Sequence, residues 1–102
     1  MDGDFSPLEE ILDLAEKYDC MTYLDEIHAI GIYGVGGCGV ASARNLADRV
    51  DVIQAGFGRG LGGAGGYIAT TRSIVDLVKT LALQYVFSTA APACVAVGNR
   101  AL

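Results

Sequence analysis

Apolar residues recur along the chain at helical spacing and as short uninterrupted runs. The helical spacing predicts a helix near the N-terminus. Apolar side chains repeat at helical spacing over residues 8–15, which indicates an amphipathic helix that ends near Tyr18. Ser6 and Pro7 precede this segment, and a glutamate follows three residues after the serine. Serine as the N-cap and proline at the first helical position are typical of a helix start.

Short apolar runs and helical repeats alternate through the rest of the chain. The run Cys20–Leu24 predicts a buried strand that ends in the carboxylates of Asp25 and Glu26. A glycine-rich loop at residues 56–66 divides the later elements. This alternation of strands and helices favours an α/β fold. We expect further strands at 50–55 and 67–70, an extended segment at 85–87, and helices at 40–49, at 71–83 with Thr71 as cap, and after Pro92.

The composition is that of one folded domain. The chain has 102 residues, of which 52% are hydrophobic and 19% are charged. This balance argues against intrinsic disorder, and the length suits a single domain over residues 1–102. Eleven of the 14 glycines lie between Gly34 and Gly66, so glycine marks turns and loops in the middle of the chain.

The net charge of −5 is divided unevenly along the chain. Residues 1–26 hold nine acids and a single base, Lys17, whereas the remainder holds three acids and six bases. Those six bases are scattered singly, so they form no clustered cationic face for a phosphate backbone. We therefore expect no nucleic-acid binding.

The cysteines and the termini indicate a reducing compartment and no targeting segment. Three widely spaced cysteines without a C-x-x-C pair fit neither a disulfide framework nor a zinc site, and we expect no metal. The acidic N-terminus has no signal-peptide pattern. Residues 80–99 carry no charge and have the length of a membrane span. Their polar residues and alanines favour a buried strand followed by a helix, and we expect no membrane association.

Two glycine motifs suggest nucleotide binding as one alternative. Gly34–Gly39 matches G-x-G-x-x-G, but a dinucleotide site also needs an acid about 20 residues further on, where Gln54 stands. The second motif, Gly58–Gly63, precedes a strand rather than a helix, and neither motif contains G-K-[ST]. Tight turns are the simpler interpretation, and a small dinucleotide-binding protein remains an open alternative.

Asp25 and His28 stand three positions apart, directly after the expected strand. A carboxylate there could hold a protonated ring nitrogen, because a nearby opposite charge favours the protonated form. His28 is the sole histidine and could donate or accept a hydrogen bond in the same cleft. The simpler alternative is an exposed loop acid and a satisfied histidine. Ser88 and Thr89 have no histidine base in view, so spacing alone indicates no nucleophile.

Four motifs together carry a resemblance to a known family. They are Asp2-Gly-Asp-Phe-Ser-Pro-Leu-Glu-Glu, Thr22-Tyr-Leu-Asp-Glu-Ile-His-Ala-Ile-Gly-Ile-Tyr-Gly34, Gly65-Gly-Tyr-Ile-Ala69 and Phe87-Ser-Thr89. In this order they resemble the α-oxoamine synthases, which are pyridoxal phosphate (PLP) enzymes of fold type I, and among them the 5-aminolevulinate synthases. The resemblance implies that the α/β chain is part of the large PLP-binding domain of an aspartate-aminotransferase-like enzyme.

The resemblance also implies a cofactor, a reaction and partners. It assigns Asp25 to the pyridinium nitrogen of PLP, His28 to the phenolic oxygen, and the Ser88–Thr89 pair to the phosphate across a dimer interface. The family reaction condenses glycine with succinyl-CoA to 5-aminolevulinate, the tetrapyrrole and heme precursor, and releases CoA and carbon dioxide. The implied partners are a second copy of the subunit or a full-length paralogue, in the cytoplasm or the mitochondrial matrix.

Three places depart from the family pattern, and one of them is the family's P-R-G, which is Val35-Gly36-Gly37 here. The family motif G-T-L-G-K-A-F-G aligns with residues 55–62, so Arg59 stands at the Schiff-base lysine and Gly56 at a phosphate-binding threonine. A guanidinium stays protonated and offers no free amine for an imine, so no catalytic residue is intact. We expect a truncated copy with little or no turnover. A non-catalytic module that binds PLP or a paralogue is the alternative.

Overall fold

The structure, a computed structural model, describes residues 3–101 and alternates helices with strands as predicted. Asp2, which begins the first motif of the family resemblance, lies outside these residues. Two short 3-10 turns, Val35–Gly37 and Ala47–Arg49, flank the second helix. The elements in chain order are α1 (Leu8–Lys17), β1 (Tyr23–Asp25), α2 (Val40–Ala43), β2 (Val52–Gly56), β3 (Gly66–Thr70), α3 (Arg72–Leu81), α4 (Leu83–Val86) and α5 (Ala93–Arg100).

The three strands form one sheet in the order β1-β2-β3. β1 pairs with β2 in parallel, and Asp25 lies opposite Gln54. β2 pairs with β3 antiparallel, and Gly56 lies opposite Gly66. A parallel pair needs a crossover connection, which the segment containing α2 provides here. The carboxyl ends of β1 and β2 therefore meet at the same edge of the sheet.

The core lies between the sheet and the first two helices. Leu8 and Leu12 on one face of α1 pack against Ala41 of α2 and against Leu46. Leu8 and Leu12 are one turn apart, so the periodicity that predicted α1 also explains its buried face. The half-buried residues around this cluster are Leu24, Ala47, Val50 and Ile53.

Two polar contacts fix the surroundings of this core. Arg49 donates hydrogen bonds to Asp13 at 2.7 Å and to Glu16 at 2.8 Å, which joins the turn before β2 to α1. The two carboxylates, Glu16 foremost, raise the pKa of Arg49. At the amino ends of β1 and β2, the Thr22 N–H donates to Asp51 Oδ2 at 2.7 Å and its hydroxyl to the same oxygen at 3.0 Å. These bonds lower the pKa of the Asp51 carboxyl.

Two of the predicted N-terminal elements are shorter than expected. The buried strand Cys20–Leu24 was wrong in extent and burial, because β1 begins at Tyr23, whose side chain is 66% exposed. The helix expected over 40–49 ends at Ala43. Asn45 has a φ of +57°, which a right-handed helix cannot accommodate, so the chain turns there before the 3-10 turn.

The helix starts also differ from the sequence prediction. Ser6 was expected to cap α1, but Pro7 occupies the position before the helix and no side chain caps it. Ser6 instead accepts a hydrogen bond from the Leu8 N–H through its carbonyl oxygen, at 2.8 Å. Thr71 does precede α3 as predicted, although its side chain makes no capping bond.

The C-terminal third is helical and exposed, which corrects two predictions. Residues 85–87 were expected to extend, yet α4 ends at Val86 and the Phe87 N–H donates to the Leu83 carbonyl at 2.9 Å. The buried strand expected within residues 80–99 is therefore absent from this described stretch, which holds no buried residue. Within residues 3–101, every helix falls short of the length and apolar character that crossing a bilayer demands.

Candidate functional site

The carboxyl ends of the parallel strands β1 and β2 form one edge of the sheet, where ligand sites of α/β folds usually lie. β1 ends at Asp25, and a series of turns with His28 follows it. β2 ends at Gly56, and the glycine-rich loop with Arg59 follows it. The topology therefore brings Asp25, His28 and the loop with Arg59 to the same edge.

The Asp25 carboxylate is held in a fixed orientation by two neutral donors. The Ile27 N–H donates to Oδ1 at 2.9 Å. With its amide nitrogen facing Asp25, Gln54 donates to both Oδ1 and Oδ2 at 3.0 Å. An ionised carboxylate only accepts hydrogen bonds, so this orientation of the amide satisfies both groups. Gln54 stands where a dinucleotide site would need an acid, and here it is the hydrogen-bond partner of Asp25.

Asp25 and His28 line the same cavity, which has a volume of about 440 Å³. This volume lies in the range of small-molecule sites in proteins, roughly 300–1,000 Å³. Phe5 and Tyr33 form part of its wall, and their rings meet edge to face with centroids 5.1 Å apart. The side chains of both Asp25 and His28 are exposed, so a ligand can reach them from the cavity.

Glu26 has the most buried carboxylate among the residues described. The sequence pattern placed it only at the end of a strand. The residue is 3% exposed. Oε2 accepts a hydrogen bond from the Val40 N–H at 3.1 Å, and Oε1 accepts one from the Ala41 N–H at 2.7 Å. The carboxylate thus binds the first two amides of α2. A sequence signal for this contact is Gly39, where a Cβ would lie 2.9 Å from the Glu26 Cδ.

The Gly34–Gly39 motif lacks the geometry of a dinucleotide site. The fingerprint requires a strand directly before the glycines and a helix after them, whose free amides bind the pyrophosphate. Here turns span residues 27–34, and the Val40 and Ala41 amides are already bonded to Glu26. The glycines serve the turns instead, since Gly34, Gly36 and Gly39 among others have positive φ.

The glycine-rich loop after β2 is closed at its base and attached to α5. Phe57 donates to the Gly65 carbonyl at 3.0 Å and accepts from the Gly63 N–H at 2.7 Å. The Asn99 side chain of α5 accepts from the Ala64 N–H at 3.3 Å and donates to the Ala64 carbonyl at 2.7 Å. These contacts hold the loop in place while Arg59, near its tip, remains exposed.

Packing brings the Arg59 loop against the His28 segment. The Ile30 carbonyl oxygen fills the space that a side chain at Gly60 would need. A Cβ at Gly31 would in turn lie 3.1 Å from the Gly60 carbonyl carbon. The two segments that follow β1 and β2 are thus in direct main-chain contact, which requires glycine on both sides.

Ser88 and Thr89 lie apart from this arrangement. They follow α4, both are exposed, and neither is among the residues that line the cavity with Asp25. Their assignment to the cofactor phosphate across a dimer interface stays a prediction. Among residues 3–101, no group of three or more His, Cys, Asp or Glu could hold a metal ion.

Comparison with known proteins identifies the family. Residues 1–100 match the family model described as aminotransferase class I and II, and the chain belongs to this family. It is similar to 5-aminolevulinate synthase of Rhodobacter capsulatus, with 43% identity over 99% of this chain and 25% of that protein. It is also 42% identical to the erythroid-specific, mitochondrial 5-aminolevulinate synthase of Danio rerio, over 96% of this chain and 17% of that protein. The resemblance to the 5-aminolevulinate synthases is thereby confirmed.

Solved structures confirm the fold class. A Sphingomonas wittichii serine palmitoyltransferase superposes with a TM-score of 0.88 and 28% identity, over 96% of this chain and 25% of that chain. A serine palmitoyltransferase with PLP superposes with a TM-score of 0.88 and 30% identity, over the same shares of the two chains. The chain spans about a quarter of the length of the bacterial relatives it matches. The fold is that of the fold type I enzymes, and PLP is the cofactor of this family.

The residues present fit one end of PLP and not its covalent attachment. Asp25 offers an oriented, accessible carboxylate that can accept a hydrogen bond from a protonated ring nitrogen. Arg59, the residue that the resemblance aligns with the family's lysine, offers no free amine for a covalent link.

Proposed function

We propose that the chain binds pyridoxal phosphate non-covalently, as part of a protein of the 5-aminolevulinate synthase class with little or no turnover. The observation that carries this proposal is the Asp25 carboxylate. It is oriented by Gln54 and the Ile27 N–H, and it lines a cavity together with His28. Membership of a PLP-dependent family supports the choice of cofactor.

The chain's own residues bind and orient the cofactor. When bound, PLP supplies an electron sink for a carbanion formed next to its ring. Asp25 holds the proton on the ring nitrogen, because a negative charge beside it favours the protonated form. Gln54 and the Ile27 N–H keep the carboxylate facing the cavity. His28 lines the same cavity and would be the residue that hydrogen-bonds to the phenolic oxygen.

Because of Arg59, the proposal gives this chain cofactor binding without turnover. Turnover of glycine and succinyl-CoA in this family relies on a lysine amine that bonds reversibly to the cofactor, and the Arg59 guanidinium cannot form that bond. We therefore propose that these substrates are turned over only at the site of a partner chain that carries the lysine, in the cytoplasm or the mitochondrial matrix. The exposure of Ser88 and Thr89 supports an assembly with such a partner, because both could reach a partner's cofactor.

A PLP titration of the purified chain, followed by absorbance, tests the binding. We expect saturable binding that the Asp25→Asn variant weakens by roughly tenfold or more, since a charge-assisted hydrogen bond is lost. Asp48→Asn, a substitution of the same kind in the 3-10 turn before β2, is the matched control and should bind as the wild type does. Absence of saturable binding, or equal affinity in Asp25→Asn, would contradict the proposal.

The Arg59→Lys variant tests the second half of the proposal. After borohydride reduction with PLP, its intact mass should increase by one reduced cofactor, located by peptide mapping at position 59. The wild-type chain and Arg100→Lys, an exposed control in α5, should show no modification at that position. An Arg59→Lys chain that binds PLP yet stays unmodified there would show that the loop does not present its side chain to the cavity.

A further inference from the structure

Glu26 engages all of its polar groups with different parts of the site. Its main-chain N–H donates to the Gln54 carbonyl at 2.8 Å. Its carbonyl accepts from the Ala29 N–H at 2.8 Å and from the Ile30 N–H at 2.9 Å. Its buried carboxylate binds the first amides of α2. One residue therefore connects β2, the turn that follows β1, and the start of α2.

The side-chain contact of Glu26 closes the segment that shapes the cavity. This segment, residues 27–39, starts directly after Glu26 and ends directly before Val40. It is cross-linked internally, since the Gly39 N–H donates to the Tyr33 carbonyl and the Gly31 N–H to the Gly37 carbonyl, both at 2.8 Å. His28 and Tyr33 lie on it and line the cavity. The carboxylate of Glu26 thus joins the two ends of the segment.

The space around this carboxylate is closed. Gly39 passes over it with a φ of +97°, and a Cβ at that position would lie 3.0 Å from both carboxylate oxygens. A side chain at Gly39 would have to displace the carboxylate. The fit between Glu26 and Gly39 therefore sets where α2 begins relative to β1.

We propose that Glu26 is a positioning residue, which acts through segment 27–39 to place His28 and Tyr33 around the cavity. The consequence for cofactor affinity rests on the proposed function, whereas the positioning itself does not. Asp25 and Glu26 are adjacent in sequence and divide two roles between them. The exposed carboxylate faces the ligand, and the buried one holds the wall of the site.

The Glu26→Gln variant tests the proposal with the side-chain shape preserved. The glutamine keeps one acceptor oxygen but turns an N–H₂ group toward the second main-chain donor, which then has no acceptor. His28 is the only histidine, so its ring gives unique NMR signals in the intact chain. We expect these signals to shift and the amide exchange of Val40 and Ala41 to accelerate by roughly tenfold or more. PLP affinity should fall by roughly tenfold.

Two further variants separate positioning from general stability. Glu10→Gln, on the exposed face of α1, is the matched control and should leave all three readings at their wild-type values. Gly39→Ala should reproduce the His28 shifts from the opposite side of the contact. Wild-type His28 signals in folded Glu26→Gln would overturn the proposal. A wild-type chain that fails to bind PLP would refute the proposed function, and the His28 and amide readings would still decide the role of Glu26.

Discussion

The two halves of the chain use amphipathic helices with opposite results. In residues 8–56, α1 and α2 cover the sheet, and the buried apolar side chains of the described structure all lie there. In residues 72–101, three helices contain no buried residue. The ion pairs follow the same division, because Arg49 joins α1 to the turn before β2, whereas Arg72 pairs with Asp76 within α3.

This difference shows that periodicity and burial are separate properties of a helix. α3 has a clear apolar face, yet Leu77 and Leu81 on α3 remain exposed. A helix face becomes core only when another element packs against it. The N-terminal half provides such elements to itself, and the C-terminal helices have apolar faces that the described residues cover only in part.

The comparison is tested most strongly by truncating one leucine in each half. Leu12 of α1 is 1% exposed, so Leu12→Ala should lower the free energy of unfolding by about 3 kcal/mol through lost burial and an unfilled cavity. Leu81 of α3 is 65% exposed, and Leu81→Ala should cost less than about 0.5 kcal/mol. Urea unfolding followed by circular dichroism measures both values. Equal losses would show that α3 is buried in solution and would remove the contrast.

A smaller effect is expected from glycine replacements in the two halves. Gly34 has a φ of +81°, and a Cβ there would lie 2.7 Å from the Gly39 carbonyl oxygen. Gly34→Ala should therefore destabilise the chain by about 2 kcal/mol. A Cβ at Gly98 in α5 would meet no atom within 4 Å, so Gly98→Ala should stabilise α5 by roughly 0.5–1 kcal/mol through helix propensity. The sign of the change in the urea midpoint distinguishes the two sites.

The smallest expected effect is the pH dependence that Asp51 gives to the N-terminal half. Thr22 lowers the pKa of the Asp51 carboxyl in the folded state, so the unfolded state binds the proton more readily. The resulting stabilisation is present above the unfolded pKa of about 3.9 and is lost as the pH falls through the folded value. Thr22→Val removes the hydroxyl donor. The urea unfolding midpoint of this variant should therefore decrease less than that of the wild type when the pH is lowered from neutral to about 3. An unchanged pH profile in Thr22→Val would contradict this role of the contact.

Local sequence patterns predicted most elements, and the errors have a common physical cause. α1, α3 and β2 follow from periodicity and from apolar runs, which act over short distances. Residues 85–87 are rich in strand-forming side chains, but a strand also needs a neighbour to pair with. The described sheet ends at β3, and the segment closes a helical turn with its own carbonyl groups instead.

The sequence predicted single residues of the candidate site but not the contacts that orient them. Asp25 and His28 followed from the family resemblance, since their spacing alone left the simpler alternative open, and the structure places both on one cavity. The contacts of Gln54 and Glu26 join residues from separate elements, so no local pattern encodes them. Gly39 was noticed as part of a glycine motif, although its function is to leave space for the Glu26 carboxylate.

The contact between Asn99 and Ala64 makes the attachment of the glycine-rich loop independent of the side chain at position 64. Asn99 bonds only to the peptide N–H and carbonyl of that residue, as a neighbouring strand would. Any residue other than proline supplies the same two groups. The loop that carries Arg59 can therefore diverge at this point during evolution, or be redesigned, while α5 continues to hold it.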